Sequence, residues 1–230
     1  MGTDLQTRPM CIGFIMDGNR RFAKKAGVPS VEGHRAGYQK LKEVLTWANE
    51  ADIKNVIVYA LSTENWNRSK EEIRYLMELA RIMLRDEIEE IAKEHARVVF
   101  AGDLSRFPDD LRKMMVATMQ KTAHETKRTL VICASYGGRA EILHAANELL
   151  QAGETNVDEK TFSKYLWTQD VPDPDLIIRT GGEMRLSNFL PWQSTYSELF
   201  FTDTLWPDFS RDEFNGILDM FSKRTRRHGA

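Results

Sequence analysis

CIGFIMDGNRR, residues 11–21, runs from an apolar stretch straight into one acid, a glycine, an asparagine and two arginines. Apolar runs rich in β-branched residues recur at NVIVYAL (55–61), RVVFAG (97–102), TLVICAS (129–135), DLIIRT (175–180) and ELFFT (198–202). Between most of them the periodicity is helical. Leu41, Val44, Leu45 and Ala48 share one side of a helix over 33–51. Ile73, Leu76, Met77, Ala80, Met83, Leu84, Ile88 and Ile91 stripe another from Ser69 to His95, where Ser69 and Glu72 have the spacing of a capping box. Pro108, followed by Asp109 and Asp110, opens a further helix through about Lys127. Strands apolar along their whole length, alternating with helices, predict an α/β fold. Its central sheet is mostly parallel and six-stranded, with helices covering both faces. No repeat, low-complexity tract or linker divides the chain, so residues 1–230 read as one domain, with 1–10 flexible and 222–230 a C-terminal tail.

In a parallel sheet the ligand sits beyond the carboxyl ends of the strands. The segments that follow the first five runs are DGNRR, STENWNR, DLSR, YGGR and GGEMRLSN. Each carries an arginine, and together they supply small hydroxyl, amide and glycine groups. Five such exits on one rim point to a phosphorylated ligand more strongly than any one of them.

The composition narrows the ligand further. With 32 basic and 34 acidic residues the net charge is −2, which excludes a global field for nucleic acid and makes any anion site local. The two cysteines, Cys11 and Cys133, lie in apolar runs and read as small buried thiols in a reducing compartment. The first ten residues have no apolar leader and the longest uninterrupted apolar run, VIVYAL, is far too short to span a bilayer. A lipid substrate would therefore be met from the water side.

Asp17 at a strand end reads equally as a Mg²⁺ ligand completed by substrate phosphates or as a side-chain cap of the next helix. Gly18 and Asn19 allow close backbone approach or positive φ, and Arg20 and Arg21 bring charge, while Lys24 and Lys25 read as a solvated face. Ser62, Glu64, Asn65, Trp66 and Arg68 combine hydrogen-bonding groups with a cation. In IIRTGGEMRLSN, Arg179 and Arg185 flank a glycine pair and precede Ser187. Guanidinium forks match phosphate oxygens, and the glycines could turn backbone N–H groups toward an anion. Phosphate-loop and dinucleotide fingerprints are absent, the five histidines show no zinc spacing, and no DDxxD signature is present.

MDGNRRFA (16–23), GHRAG (33–37), YALSTENWNR (59–68), YGGR (136–139), IRTGGEMRLSNFLPWQ (178–193), YSELFF (196–201) and LWPDF (205–209) resemble, in order and spacing, the cis-prenyltransferases typified by undecaprenyl diphosphate synthase. The similarity runs from about Ile12 to Arg227. It implies a Mg²⁺-dependent transferase that condenses isopentenyl diphosphate onto an allylic diphosphate such as farnesyl diphosphate with Z geometry. It also implies a hydrophobic tunnel between the sheet and two helices, the long Met77- and Met83-bearing helix forming one wall. On this resemblance Asp17 and Asn65 are catalytic, and Asp17 and Glu198 hold the metal. Gly18, Asn19, Arg21 and His34 cradle the allylic diphosphate, and Arg20 and Phe22 are further substrate contacts. Arg179, Arg185 and Ser187 bind isopentenyl diphosphate, and Ser62, Asn65, Trp66 and Arg68 line the region between.

The resemblance further implies a cytoplasmic homodimer with peripheral membrane contact for product release, and a terminal Arg227-His228-Gly229 element that reaches a neighbouring subunit. The chain departs from the family pattern at Cys11, Phe22, Ser30, Leu61, Arg128 and Ser135. Two other readings compete. A non-catalytic prenyltransferase subunit would have lost site residues that persist here, and a metal-dependent phosphohydrolase would not need the long apolar helix.

Overall fold

The computed structural model describes residues 8–86 and 96–224, which group into two compact units. All six apolar runs form strands: β1 Cys11–Ile15, β2 Asn55–Ser62, β3 Ala96–Ala101, β4 Arg128–Tyr136, β5 Leu176–Arg179 and β6 Glu198–Phe201. They hydrogen-bond in the order β3-β4-β2-β1-β5-β6, a six-stranded sheet in which the β1/β5, β5/β6 and β3/β4 registers are parallel.

The first unit contains the described residues of 1–57, 173–185 and 193–230. Here Ile15 pairs with Arg179 and Arg179 with Phe201, so β1 and β5 end level with one another. The Asp175 carboxylate accepts the backbone N–H groups of Met10 and Cys11 at 2.7 and 3.1 Å, which fixes the start of β1. Helices α1 (Asn19–Ala26) and α2 (Ser30–Glu50) pack through small residues, because a Cβ added at Gly33 would lie 2.1 Å from the Asn19 carbonyl oxygen. Two glycines inside a helix cost about 1 kcal/mol each in propensity, and this close approach is what they permit. Phe14, Trp206, Phe209 and Phe214 form an aromatic core beneath, and the Trp206 indole N–H donates to the Gly37 carbonyl at 2.7 Å.

The second unit contains the described residues of 58–172 together with 186–192. Helices α3 (Lys70–Asp86) and α4 (Asp109–Thr122) pack an apolar cluster of Leu61, Met77, Val98, Phe100, Phe107 and Met115, with Ile73, Leu76, Met114 and Met119 half-buried against it. Helix α5 (Gly138–Gln151) follows β4, and a short α6 spans Glu159–Ser163.

Sequence and structure differ at several helix ends. Helix α2 starts at Ser30, ahead of Gly33, because Pro29 presets the entry. Helix α4 stops at Thr122 and does not reach Lys127, since the chain must turn to bring Arg128 opposite Ala96 in the sheet. At the start of α3 the Ser69 hydroxyl accepts the Glu72 N–H at 3.2 Å, as the capping spacing predicts, and the Glu72 carboxylate accepts from Arg68 at 2.9 Å. Ile88, Ile91 and His95, the first seven residues and Arg227-His228-Gly229 lie outside the described residues.

Candidate active site

In the first unit the exits of β1 and β5 meet at one carboxylate. Asp17 Oδ1 pairs with Arg21 Nη2 at 3.1 Å and Oδ2 accepts from Arg179 Nη2 at 3.0 Å. The Asp17 carbonyl accepts from the Thr180 hydroxyl at 2.7 Å and the Trp206 N–H at 3.0 Å. The structure excludes the capping alternative: Gly18 (φ 118°) is the cap of α1, no side chain caps that helix, and the Asp17 carboxylate faces arginines. Glycine is required at 18, because a Cβ would sit 2.9 Å from the Leu205 Cα.

Arg179 is a buried strut. Its side chain is 5% exposed and its Nη1 donates to the Arg185 carbonyl, so one guanidinium ties the carboxylate of the β1 exit to the loop that follows β5. Arg185 differs: its side chain is 60% exposed and pairs with Glu183. The glycine pair departs from expectation. Gly181 and Gly182 adopt positive φ, but their N–H groups donate to the carbonyls of Thr204 and Thr202 at 2.7 and 2.8 Å, so these amides are not turned toward an anion. Gly181 instead makes room for the cation, since a Cβ there would lie 2.5 Å from Arg21 Nη2.

Asn19 opens α1 with its Oδ1 buried and without a hydrogen-bond partner, and a Cβ at Gly37 would lie 2.2 Å from that oxygen. Arg20, Lys24 and Lys25 are exposed on α1, Phe22 is half-buried there, and His34 is half-buried on α2. Glu198 is not brought to Asp17. It opens β6 opposite Leu176, at the amino end of the strands, and its carboxylate pairs with Arg224. Three residues of strand, about 10 Å at ~3.3 Å each, separate it from the level where β1 ends. Within one chain these two carboxylates do not share a metal ion.

In the second unit the exit of β2 forms a 3-10 turn, Thr63–Asn67, closed by a capping box. The Ser62 side chain accepts the Asn65 N–H while Asn65 Oδ1 accepts the Ser62 N–H at 3.1 Å. The usual spacing rule finds the capping box at Ser69 and misses this second one, because its third residue is an asparagine where Glu or Gln is the expected partner. Trp66 is fixed on several sides: its indole N–H donates to Ser135 Oγ at 3.0 Å, Phe107 meets it edge-on at 5.3 Å, and the Arg106 guanidinium lies over its ring at 5.0 Å. Arg68 is held by Glu72. Ser135 has φ 52°, a left-handed value that a serine adopts at a cost of roughly 1–2 kcal/mol.

Ser187 lies in the same unit, in a loop where Ser187, Asn188 and Leu190 all have positive φ. The Tyr59 hydroxyl donates to the carbonyls of Tyr136 and Ser187 at 3.2 and 3.3 Å. Burial, with the Glu64 charge behind it, raises the Tyr59 phenol well above its usual range, so it acts as a neutral donor. Glu64 shows the opposite balance. Burial pushes its carboxyl up, but hydrogen bonds from its own backbone, Asn188, Ser62 and Thr63 outweigh that and hold it below the ordinary 4.5. Thr180, Tyr59 and Asn188 are not marked by the sequence, because only the tertiary fold gives each its partner.

The chain is thus an α/β protein whose β1 exit carries a carboxylate clamped by two arginines. A family model described as "Putative undecaprenyl diphosphate synthase" matches residues 15–229. An isoprenyl transferase of Thermotoga maritima is 44% identical over 225 residues, covering 96% of this chain and 97% of its own. A ditrans,polycis-undecaprenyl-diphosphate synthase of Micrococcus luteus, (2E,6E)-farnesyl-diphosphate specific, is 40% identical over 96% of this chain and 91% of its own. The crystal structure of lavandulyl diphosphate synthase from Lavandula x intermedia, in complex with dimethylallyl diphosphate, superposes with a TM-score of 0.93 at 32% identity, covering 98% of this chain and 100% of that one. The chain belongs to the undecaprenyl diphosphate synthase family.

Proposed function

We propose that this chain elongates an allylic diphosphate such as farnesyl diphosphate with isopentenyl diphosphate in cis, releasing diphosphate. The observation that carries the reading is the Asp17 carboxylate held between Arg21 and Arg179 at the end of β1, in a chain of this family. When the allylic C–O bond breaks, the electron pair leaves with the diphosphate, and fixed cations lower the barrier most where that charge grows. The isopentenyl double bond then attacks the allylic carbon, and the resulting cation gives up one proton to the departing diphosphate, which forms the new double bond. Arg21, Gly18 and the amide of Asn19 hold the leaving group. Arg179, buried and bonded through its two terminal nitrogens to Asp17 and the Arg185 carbonyl, positions that carboxylate and the loop carrying Arg185, while the exposed Arg185 of the first unit and Ser187 of the second are each assigned to isopentenyl diphosphate. Asn65, locked by Ser62, orients the centre that loses the proton.

Asp17 has the exposure and the spare acceptor capacity to take a magnesium ion. Its side chain is one-third exposed, at 32%, and each oxygen keeps acceptor capacity beyond its arginine. Among the described residues no three His, Cys, Asp or Glu groups form a cage, so one carboxylate would hold the ion with substrate phosphates completing its shell. Two guanidiniums repel a bare cation, and the diphosphate supplies the charge that lets it stay. Bound there, Mg²⁺ would neutralise the leaving oxygens.

A homodimer and peripheral contact with a membrane in the cytoplasm belong to the same proposal. Strand β6 is a sheet edge with Leu199 37% and Tyr196 64% exposed, which suits a second copy. Among the described residues no helix is long and apolar enough to cross a membrane. An apolar channel for the growing chain is proposed between α3 and α4, along half-buried Ile73, Leu76, Met114 and Met119, where the two thioethers suit a sliding ligand and buried Met77 backs the wall. Incubation with labelled isopentenyl diphosphate, farnesyl diphosphate and Mg²⁺ tests the reading. A Z-configured polyprenyl diphosphate is expected, and recovery of unextended substrates, or of their hydrolysis products, would refute it.

A further inference from the structure

The loop 186–192 contains three non-glycine residues in the left-handed region within four positions: Ser187 at φ 49°, Asn188 at 67° and Leu190 at 51°. Such values cost serine and leucine of order 1–3 kcal/mol each and persist only where the surroundings over-determine them. Asn188 supplies much of that determination. Its carbonyl accepts the Gly138 N–H at 2.8 Å and its Oδ1 accepts the Arg139 N–H at 2.9 Å, which satisfies the first amides of α5. The other end of the same amide, Nδ2, donates to Glu64 Oε1 at 3.1 Å. Glu64 stands inside the turn whose capping box joins Ser62 to Asn65. The approach is close on every side, since a Cβ on Gly137 would lie 2.7 Å from both Asn188 Nδ2 and Thr63 Oγ1, and one on Gly138 1.9 Å from Pro191. Fully buried Phe189, stacked on Tyr59 at 4.8 Å, anchors the loop from below.

We propose that Asn188 is a positioning residue that makes the Ser187 loop and the Ser62–Asn65 turn one rigid body, so that a diphosphate bound at Ser187 is held in register with the Asn65 amide. This inference rests on the prenyl-transfer reading for the identity of the ligand, but not for the coupling itself. An asparagine suits the position on two counts. It tolerates positive φ better than other non-glycine residues, and it presents an acceptor and a donor from one planar group. Aspartate would keep the acceptor for Arg139, and the helix N-terminus would favour its charge, but it would lose the donor and oppose the Glu64 carboxylate.

The test compares the unaltered chain with Asn188→Asp, Glu64→Gln and the double variant. In the double variant the amide introduced at position 64 donates to the carboxylate introduced at position 188, so the bond is kept with its polarity reversed. Isothermal titration with isopentenyl diphosphate reads binding without turnover, and steady-state assay reads kcat. For Asn188→Asp the expected result is about tenfold weaker binding and a comparable loss of kcat, with the KM for the allylic diphosphate unchanged and part of the loss recovered toward pH 5, where one proton can be shared between the two carboxylates. The double variant should return to within a few-fold of the unaltered chain. If Asn188→Asp behaves like the unaltered chain, or if the double variant binds no better than the single one, the proposal is overturned. Should the unaltered chain bind isopentenyl diphosphate but form no product, the reaction reading falls and the binding comparison still decides the coupling; should it not bind isopentenyl diphosphate at all, the placement of that diphosphate at Ser187 is overturned as well.

Discussion

The strand exits of the two compact units hold their functional groups by different means. In the first unit the exit of β1 is ionic: Asp17 lies between Arg21 and Arg179, both within 3.1 Å. In the second unit the exit of β2 is organised by a hydroxyl and an amide, with Ser62 and Asn65 exchanging hydrogen bonds. The difference follows from what each is proposed to do. A leaving diphosphate gains charge, so opposite charge placed in advance is useful there. A centre that loses a proton next to a carbocation-like partner needs orientation without a competing base, and neutral groups provide it.

Substitution of Asp17 by Ala should break the comparison most severely. Turnover is expected to fall on the order of 10²–10³-fold, while farnesyl diphosphate still binds in a magnesium-free titration, because the arginines that hold its diphosphate remain. Unaltered turnover would remove Asp17 from the reaction. Arg185→Ala comes next. Loss of one exposed charge-assisted contact should raise the KM for isopentenyl diphosphate by roughly tenfold or more, and the allylic KM far less. The reverse pattern would exchange the two diphosphate sites. Ser62→Ala probes the neutral rim and removes half of the capping box, which should lower unfolding stability by about 1 kcal/mol. The same variant should reduce kcat through a misaligned Asn65, so a denaturant titration and a rate measurement on it would separate the two effects.

The smallest effect concerns pH. Hydrogen bonds hold Glu64 below its ordinary value of 4.5, so their stabilisation is complete above that pH and is lost as pH falls through the lowered value. The stability difference between the unaltered chain and Glu64→Gln should therefore shrink on acidification below about 4.5 in thermal melts, and should be flat between pH 6 and 8.

The six strands were legible because each contains an unbroken apolar run, such as VIVYAL in β2 and LVICA in β4, which leaves a buried parallel strand as the natural outcome. Asp17 and Arg179 were legible through the same rule, since both stand where a parallel strand ends, and the structure joins them at 3.0 Å. What depended on distant partners was not legible. The amides of Gly181 and Gly182 could be assigned to an anion only until Thr204 and Thr202 were seen to occupy them. Glu198 follows from the family resemblance as a residue type, but the strand register places it at the amino end of β6, away from Asp17 in the same chain. Asn188 carried no local signal, because its role comes from Gly138, Arg139 and Glu64, which lie 49 or more residues away in sequence.

The proposed reaction depends on the Asp17 carboxylate, set between two guanidiniums, accepting a magnesium ion in company with a diphosphate. Calorimetric titration of the unaltered chain and of Asp17→Ala with Mg²⁺ alone, with inorganic diphosphate alone, and with the premixed pair tests it directly. Little binding of Mg²⁺ alone is expected, together with an enhancement of diphosphate binding by magnesium that disappears in Asp17→Ala. Tight binding of Mg²⁺ without diphosphate, or an enhancement that survives the substitution, would contradict it.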